Sequence, residues 1–187
     1  MRPTLTSLAL IAALALPAWA DDDQLVRSVS LQQLESLVVE EGYTINSTGE
    51  EGEVSLRATD PDTGLIFNIL GTACETDFSD GCLGINMQVR YDADGAETLE
   101  RINEANLMWA ATSAWYSAYG VDGESPTVGI SRYVILDGGM TIGNIKDNLV
   151  NLLAIAPQVA DYVWQAGEYA PMDVDDELYD DYNAGDW

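Results

Sequence analysis

The chain has 187 residues, of which 32 are acidic, seven are basic and none is histidine, for a formal net charge of −25. A polyanion of that density repels phosphate, which makes nucleic acid and anionic lipid surfaces poor partners. The missing histidine removes Ser-His-Asp and Cys-His triads, histidine-ligated zinc, and the side chain best suited to proton transfer near neutral pH.

Residues 1–20 read as a signal peptide. Arg2 is followed by an unbroken small-apolar run from Leu8 to Leu16, and Pro17-Ala18-Trp19-Ala20 supplies a small-x-small cleavage site. The run is too short and too weakly charged at its flanks for a membrane anchor, so no membrane span is expected. Cleavage would leave a chain starting at Asp21 with six basic and 32 acidic side chains, a net of −26. It would also place the two cysteines, Cys74 and Cys82, in an oxidising compartment, which points to secretion across the inner membrane into the periplasm.

Residues 21–29 form a short acidic N-terminal segment, and residues 30–166 contain enough apolar residues for one core and therefore one domain. Ser30 reads as a helix N-cap with Gln33 three residues on, a capping box. Leu31, Leu34, Leu37 and Val38 share a face of that helix, and Gly42 fits its left-handed end. Alternating segments follow at Tyr43–Asn46, Val54–Thr59, Leu65–Leu70 and Ile85–Tyr91. Asp60-Pro61-Asp62-Thr63-Gly64 is a tight turn that makes the second and third of these a hairpin. Short loops between strands predict an antiparallel sheet.

Beyond Asp94-Gly95 the period changes. Leu99, Ile102, Asn106, Trp109, Ser113 and Tyr116 recur at helical spacing, predicting one helix over Gly95–Tyr119 with Asp94 as its N-cap and Gly120 and Gly123 at its end. Val128–Leu136 reads as a strand and Asp137-Gly138-Gly139 as a turn. A last helix presents Ile142, Ile145, Leu149, Leu152, Ala156, Val159 and Val163, with Pro157 expected to kink or split it. Residues 167–187 hold eight acids, no base and little apolar content, and are expected to be disordered in isolation.

Four motifs carry candidate chemistry. Cys74 and Cys82 bracket an acidic loop; that setting raises a thiol pKa and disfavours redox activity, so the pair reads as a structural disulfide. Closing a ~9-residue loop restricts the unfolded chain by about 2.6 kcal/mol on the loop-entropy model. Asp62-Thr63-Gly64 spells the aspartic-protease triplet, but a single copy cannot form the required carboxylate pair, so a turn is expected. Asp92-Ala93-Asp94-Gly95 departs from the calcium-loop pattern at its glycine and lacks the twelfth-position glutamate, leaving no metal site. Asn103 and Asn106 share a helical face. Their amides donate and accept at once, so the pair is either a polar binding motif or a structural one that satisfies a sheet edge or a loop carbonyl. Trp109, Trp115, Tyr116 and Tyr119 read as core and rim of that same helix.

Gly42-Tyr43, Cys74 with Cys82, Ile102-Asn103-Glu104-Ala105-Asn106 and Gly138-Gly139-Met140-Thr141-Ile142 occur in the order and spacing of the YbjN-like family, which the chain resembles from about Ser30 to Trp164. The resemblance implies an α+β fold similar to type III secretion chaperones, a single antiparallel sheet with helices packed on one side. It implies no catalytic activity and no cofactor; the family is described as bacterial sensory-transduction regulators. A bacterial origin also removes meaning from the sequon Asn46-Ser47-Thr48. The expectation is a non-enzymatic periplasmic module, chaperone-like or regulatory, that recognises another protein, with a basic client favoured by the acidic surface. The alternative is a periplasmic sensor of a small molecule or of a cation such as calcium.

Overall fold

The computed structural model describes residues 22–74, 80–93, 99–119 and 125–164. The signal peptide, the Asp21 terminus, the Asp94 cap, most of the loop between the cysteines and the acidic tail lie outside these residues.

A six-stranded antiparallel sheet organises the domain. Its strands are β2 (Thr44–Thr48), β3 (Ser55–Thr59), β4 (Ile66–Thr72), β5 (Gly84–Asp92), β6 (Ser113–Ser117) and β7 (Thr127–Ile135), arranged in the order β2-β3-β4-β5-β7-β6. A two-stranded ribbon of β1 (Leu25–Val26) and β8 (Met140–Thr141) ties the N-terminal segment to the turn before the last helix. Helices α1 (Leu31–Glu40), α2 (Leu99–Met108) and α3 (Ile142–Trp164) complete the described elements. The architecture is α+β, with all strand pairs antiparallel.

Local chemistry explains the element ends. The Ser30 hydroxyl accepts from the Gln33 amide N–H, and the Gln33 side chain accepts from the Ser30 N–H at 2.7 Å, so two donors at the start of α1 are satisfied reciprocally. Gly42, at φ +85°, turns the chain out of α1 into β2. Between β3 and β4 the Asp60 carboxylate accepts from the Asp62 N–H at 2.9 Å and from the Thr63 hydroxyl at 2.7 Å, while Gly64 takes φ +74°. Asp62 is therefore part of a hairpin turn.

One face of the sheet is the core. Leu56, Ala58, Phe67, Ile69, Met87, Val89, Val128 and Ile130 point into it and meet Leu34 and Val38 of α1 and Leu149, Leu152 and Ala156 of α3, all buried. Burial of a large aliphatic or aromatic side chain contributes about 1.5–3 kcal/mol, so this layer holds the fold together.

One expectation needs correction. The single helix expected over Gly95–Tyr119 is instead α2, a turn, and the edge strand β6. Helical spacing at Trp109, Ser113 and Tyr116 coincides with a period of two: Ala114 and Tyr116 face the core side while Trp115 faces away, and that alternation wins because Ala114 and Tyr116 pair with β7. The four aromatics accordingly part company. Trp109 packs edge-on against Tyr162 at 5.6 Å, Tyr116 packs against the core from β6, Trp115 lies on the opposite face and Tyr119 is exposed. Of the two outcomes expected at Pro157, a kink or a split, the split does not occur: α3 runs on to Trp164. The ring removes one donor on an exposed turn, where the Gln158 side chain donates to the Ala154 carbonyl at 2.9 Å.

Candidate binding surface

Among the described residues the helices cover one face of the sheet and leave the other open, and the residues of that face are set by strand alternation. Arg57 stands between Leu56 and Ala58, and Asn68 between Phe67 and Ile69. Gln88 stands between Met87 and Val89, and Ser131 beside Ile130. Register places these polar residues in one row. Arg57 pairs with Asn68, Asn68 with Gln88, Gln88 with Ser131, and Ser131 with Ser113, so the ladder crosses β3, β4, β5, β7 and β6. A parallel row brings Arg90 opposite Gly129 and Gly129 opposite Trp115. The Trp115 indole occupies the space a Gly129 side chain would take, so it lies flat on this face.

The row is partly sunken. Gln88 is only 8 % exposed, and its carbonyl oxygen accepts from Arg90 Nε at 3.0 Å and Nη2 at 2.8 Å. This fork holds the Arg90 guanidinium against the sheet. Two adjoining depressions flank it. One, of about 250 Å³, is lined by residues of β2, β3 and β4 together with Arg90. The other, of about 340 Å³, is lined by Arg57, Ile66, Asn68, Arg90, Tyr91, Asp92 and Thr127. Arg57, Asn68 and Arg90 line both.

The two arginines stand out against the charge of the chain. Only six basic residues lie beyond residue 20. Lys146 is held among the carboxylates of Asp22, Glu40 and Glu41 at 3.0, 3.3 and 3.6 Å. Arg132 donates to the Ala111 carbonyl and to Asn148 and Asn151, and Arg101 to the Tyr162 carbonyl. Those interactions stitch secondary structure, and Arg27 is exposed directly after β1, away from the ladder. Arg57, in contrast, makes no ion pair among the described residues, and it shares its depressions with Arg90. A guanidinium such as that of Arg57, beside amide edges, has the geometry to accept a carboxylate bidentately.

The residues singled out from sequence lie elsewhere. Cys74 and Cys82 are joined Sγ to Sγ at 2.06 Å, linking the end of β4 to the start of β5. Cys82 is fully buried, exchanges both backbone hydrogen bonds with Val29, and fills the space left by the absent side chain of Gly71. Asn106 turns its amide to β6: its Nδ2 donates to the Ala114 carbonyl at 3.0 Å and its Oδ1 accepts from the Ala114 N–H at 2.7 Å. The side chain stands in for a neighbouring strand and closes part of the sheet's edge. Asn103 is exposed and does not join it, so the two amides form no common site. Asp92 borders the larger depression at the end of β5. No group of three potential metal ligands comes together among the described residues. The buried Tyr91 hydroxyl, beside the Asp161 charge, has its pKa pushed up to about 12, chiefly by burial, and stays protonated.

Arg57, Asn68, Gln88 and Arg90 were not singled out from sequence. Their signal is there in retrospect: each strand inserts a polar residue at the same parity between core residues, and basic residues are scarce.

Fold and surface together define an α+β domain with one sheet face given to its core and the other, among the described residues, polar and uncovered. Neither a family model nor a curated protein matches the chain. Among solved structures it is similar to the crystal structure of YbjN from E. coli, described there as a candidate transcription regulator. The TM-score is 0.48 at 12% identity, covering 72% of this chain and 96% of that one, and nothing is carried across from it.

Proposed function

We propose that this is an exported, non-catalytic binding module that recognises another protein through the open face of its sheet. The observation that carries the reading is the one-sided packing: three helices cover the core face, while the opposite face presents a five-strand polar ladder with Arg57 and Arg90 above two depressions. That chemistry suits an extended segment that brings a carboxylate to the guanidinium pair and polar edges to Asn68 and Gln88. The acidic surround favours a partner that is basic outside that segment and speeds its approach. Export is supported by the leader pattern and by the joined cysteines.

Cross-linking in the native envelope tests this. The wild type is expected to give a discrete set of protein adducts that Arg57→Glu removes and Asp62→Asn keeps. The same adducts from Arg57→Glu would overturn the reading.

A further inference from the structure

We propose that the larger depression on the open face binds a free α-amino acid as its zwitterion, with the carboxylate on Arg57 and Asn68 and the ammonium on Asp92 and Thr127. Such a site goes beyond the recognition of a protein and draws on Asp92, which has no part in that recognition. All four residues line the depression. Strand alternation sets them on the same face: Arg57 pairs with Asn68 at one end, and Asp92 with Thr127 at the other. Among the described residues the side chains of Arg57, Asn68 and Asp92 make no ion pair or hydrogen bond. Two opposite charges thus border one depression without neutralising each other.

Donors and acceptors are divided by position. Arg57 and the Asn68 amide supply donors at one end. At the other, the Asp92 carboxylate accepts, and the Thr127 hydroxyl, which donates to the Ser125 carbonyl at 3.3 Å, keeps its oxygen lone pairs for a second donor. Gln88 stands level with Arg57, two strands away, and Asp92 lies four residues beyond it on β5. Strand geometry then separates the Arg57 and Asp92 Cα atoms by about 17 Å. With both side chains turned into the depression, roughly 8 Å remains between guanidinium and carboxylate. An α-amino acid, whose own charges sit about 3 Å apart, fills that gap with one contact of ~2.8 Å at each end. Net charge selects the same ligand. The acidic body repels a free anion, the arginines repel a cation, and a zwitterion suffers neither. Ile66, 41 % exposed, lines the same depression and gives an aliphatic side chain an apolar contact. The volume of about 340 Å³ holds a single amino acid.

The test is an NMR titration of the full-length mature protein with three probes: L-leucine, N-acetyl-L-leucine, which lacks the ammonium, and L-leucinamide, which lacks the carboxylate. Leucine at millimolar concentration is expected to give saturable shifts at Asn68, Asp92 and Thr127. Each analogue gives up one surface charge contact and should bind roughly tenfold more weakly. Arg57 and Asp92 are both exposed, so Arg57→Gln and Asp92→Asn should keep the wild-type unfolding transition while each weakens leucine by a similar factor. Asp92→Asn should also bind N-acetyl-leucine at least as tightly as the wild type does, because it removes the carboxylate that repels it. Leucine binding unchanged in either variant, or leucinamide binding as tightly as leucine, would overturn the proposal. N-acetyl-leucine binding as tightly as leucine would overturn it too, and would leave an anion-binding face suited to the carboxylate of a protein segment. Without any saturable shift from leucine the zwitterion site fails, whereas protein cross-links that Arg57→Glu removes would still uphold the protein-binding reading.

Discussion

The two faces of this sheet come from the same strands, and comparing them separates what makes the protein fold from what it offers to others. On the helix side, Phe67, Ile69, Met87 and Ile130 are fully buried and interchangeable in kind: any close-packed apolar set of the right volume would hold the layers together. On the open side, one residue away along each strand, Asn68, Gln88, Arg90 and Ser131 are specific in chemistry and contribute little to the core. Antiparallel sheets permit this division because one face can stay solvated. What is unusual is that the solvated face concentrates two of the chain's few cations over a buried amide.

The strongest way to break that contrast is to cut into each face in turn. Phe67→Ala leaves a cavity under Tyr43, whose ring meets Phe67 edge-on at 5.2 Å, and should destabilise the protein by about 3–5 kcal/mol. Asn68→Ala, the adjacent residue on the other face, should cost within about 0.5 kcal/mol. Urea unfolding of the two variants measures both. Equal losses would mean that the open face is part of the structural core.

The disulfide belongs to neither face, and removing it tests whether the junction of β4 and β5 is held by packing or by the covalent link. Replacing both Cys74 and Cys82 by serine should lower stability by about 2.6 kcal/mol on the loop-entropy model. Non-reducing peptide mass analysis of the exported protein should show the two cysteines linked. Free alkylation of both thiols in native, unreduced protein would contradict this.

Much of the covered face can be read in the sequence. The stripe of Leu34, Leu37 and Val38, the Ser30–Gln33 box and the Asp60–Gly64 turn each follow from short-range rules in which neighbouring residues satisfy one another. The segment after Met108 resists that reading because Ala110 and Ala111 suit a helix, and the decisive contact is distant: Ala114 and Tyr116 gain strand partners only when β7 lies alongside. The open face is harder still. Arg57 and Arg90 are 33 residues apart, and nothing local says that β3, β4 and β5 will stack them over common depressions. Register, a property of the folded sheet, creates that neighbourhood.

Asn106 sharpens the comparison at the sheet's edge, where the two faces meet. Removing its amide leaves both the N–H and the C=O of Ala114 without their present partner, an expected loss of about 1–2 kcal/mol for Asn106→Ala. Asn103→Ala, one helical turn earlier and exposed, should change stability by less than about 0.5 kcal/mol. Thermal unfolding of the pair decides it. Equal effects would point to a shared role for the two amides, which the structure does not give them.

The smallest effect expected is at the β3–β4 turn, where the chain passes from one strand to the next without touching either face's centre. The Asp60 carboxyl is held below the usual carboxylate range chiefly by the Thr63 hydroxyl, which outweighs an opposing push from desolvation, with lesser help from the Asp62 and Thr63 backbone N–H groups. A carboxyl whose folded pKa lies below its unfolded one binds fewer protons when folded, so its contribution is present above the unfolded pKa and disappears as pH falls through the folded value. The group is nearly solvent-exposed, which screens the interaction and keeps the contribution small. Asp60→Asn should therefore be slightly less stable than the wild type at pH 7, and the gap should close as the solution is taken below the ordinary aspartate range. Asp62→Asn, in the same turn, should leave stability at pH 7 and any partner cross-linking unchanged, because its carboxylate holds none of the turn's hydrogen bonds among the described residues. Denaturant midpoints across pH 3 to 7 for the three proteins test both halves. A gap between Asp60→Asn and wild type that widened on acidification would reverse the sign and show that the turn favours the protonated acid.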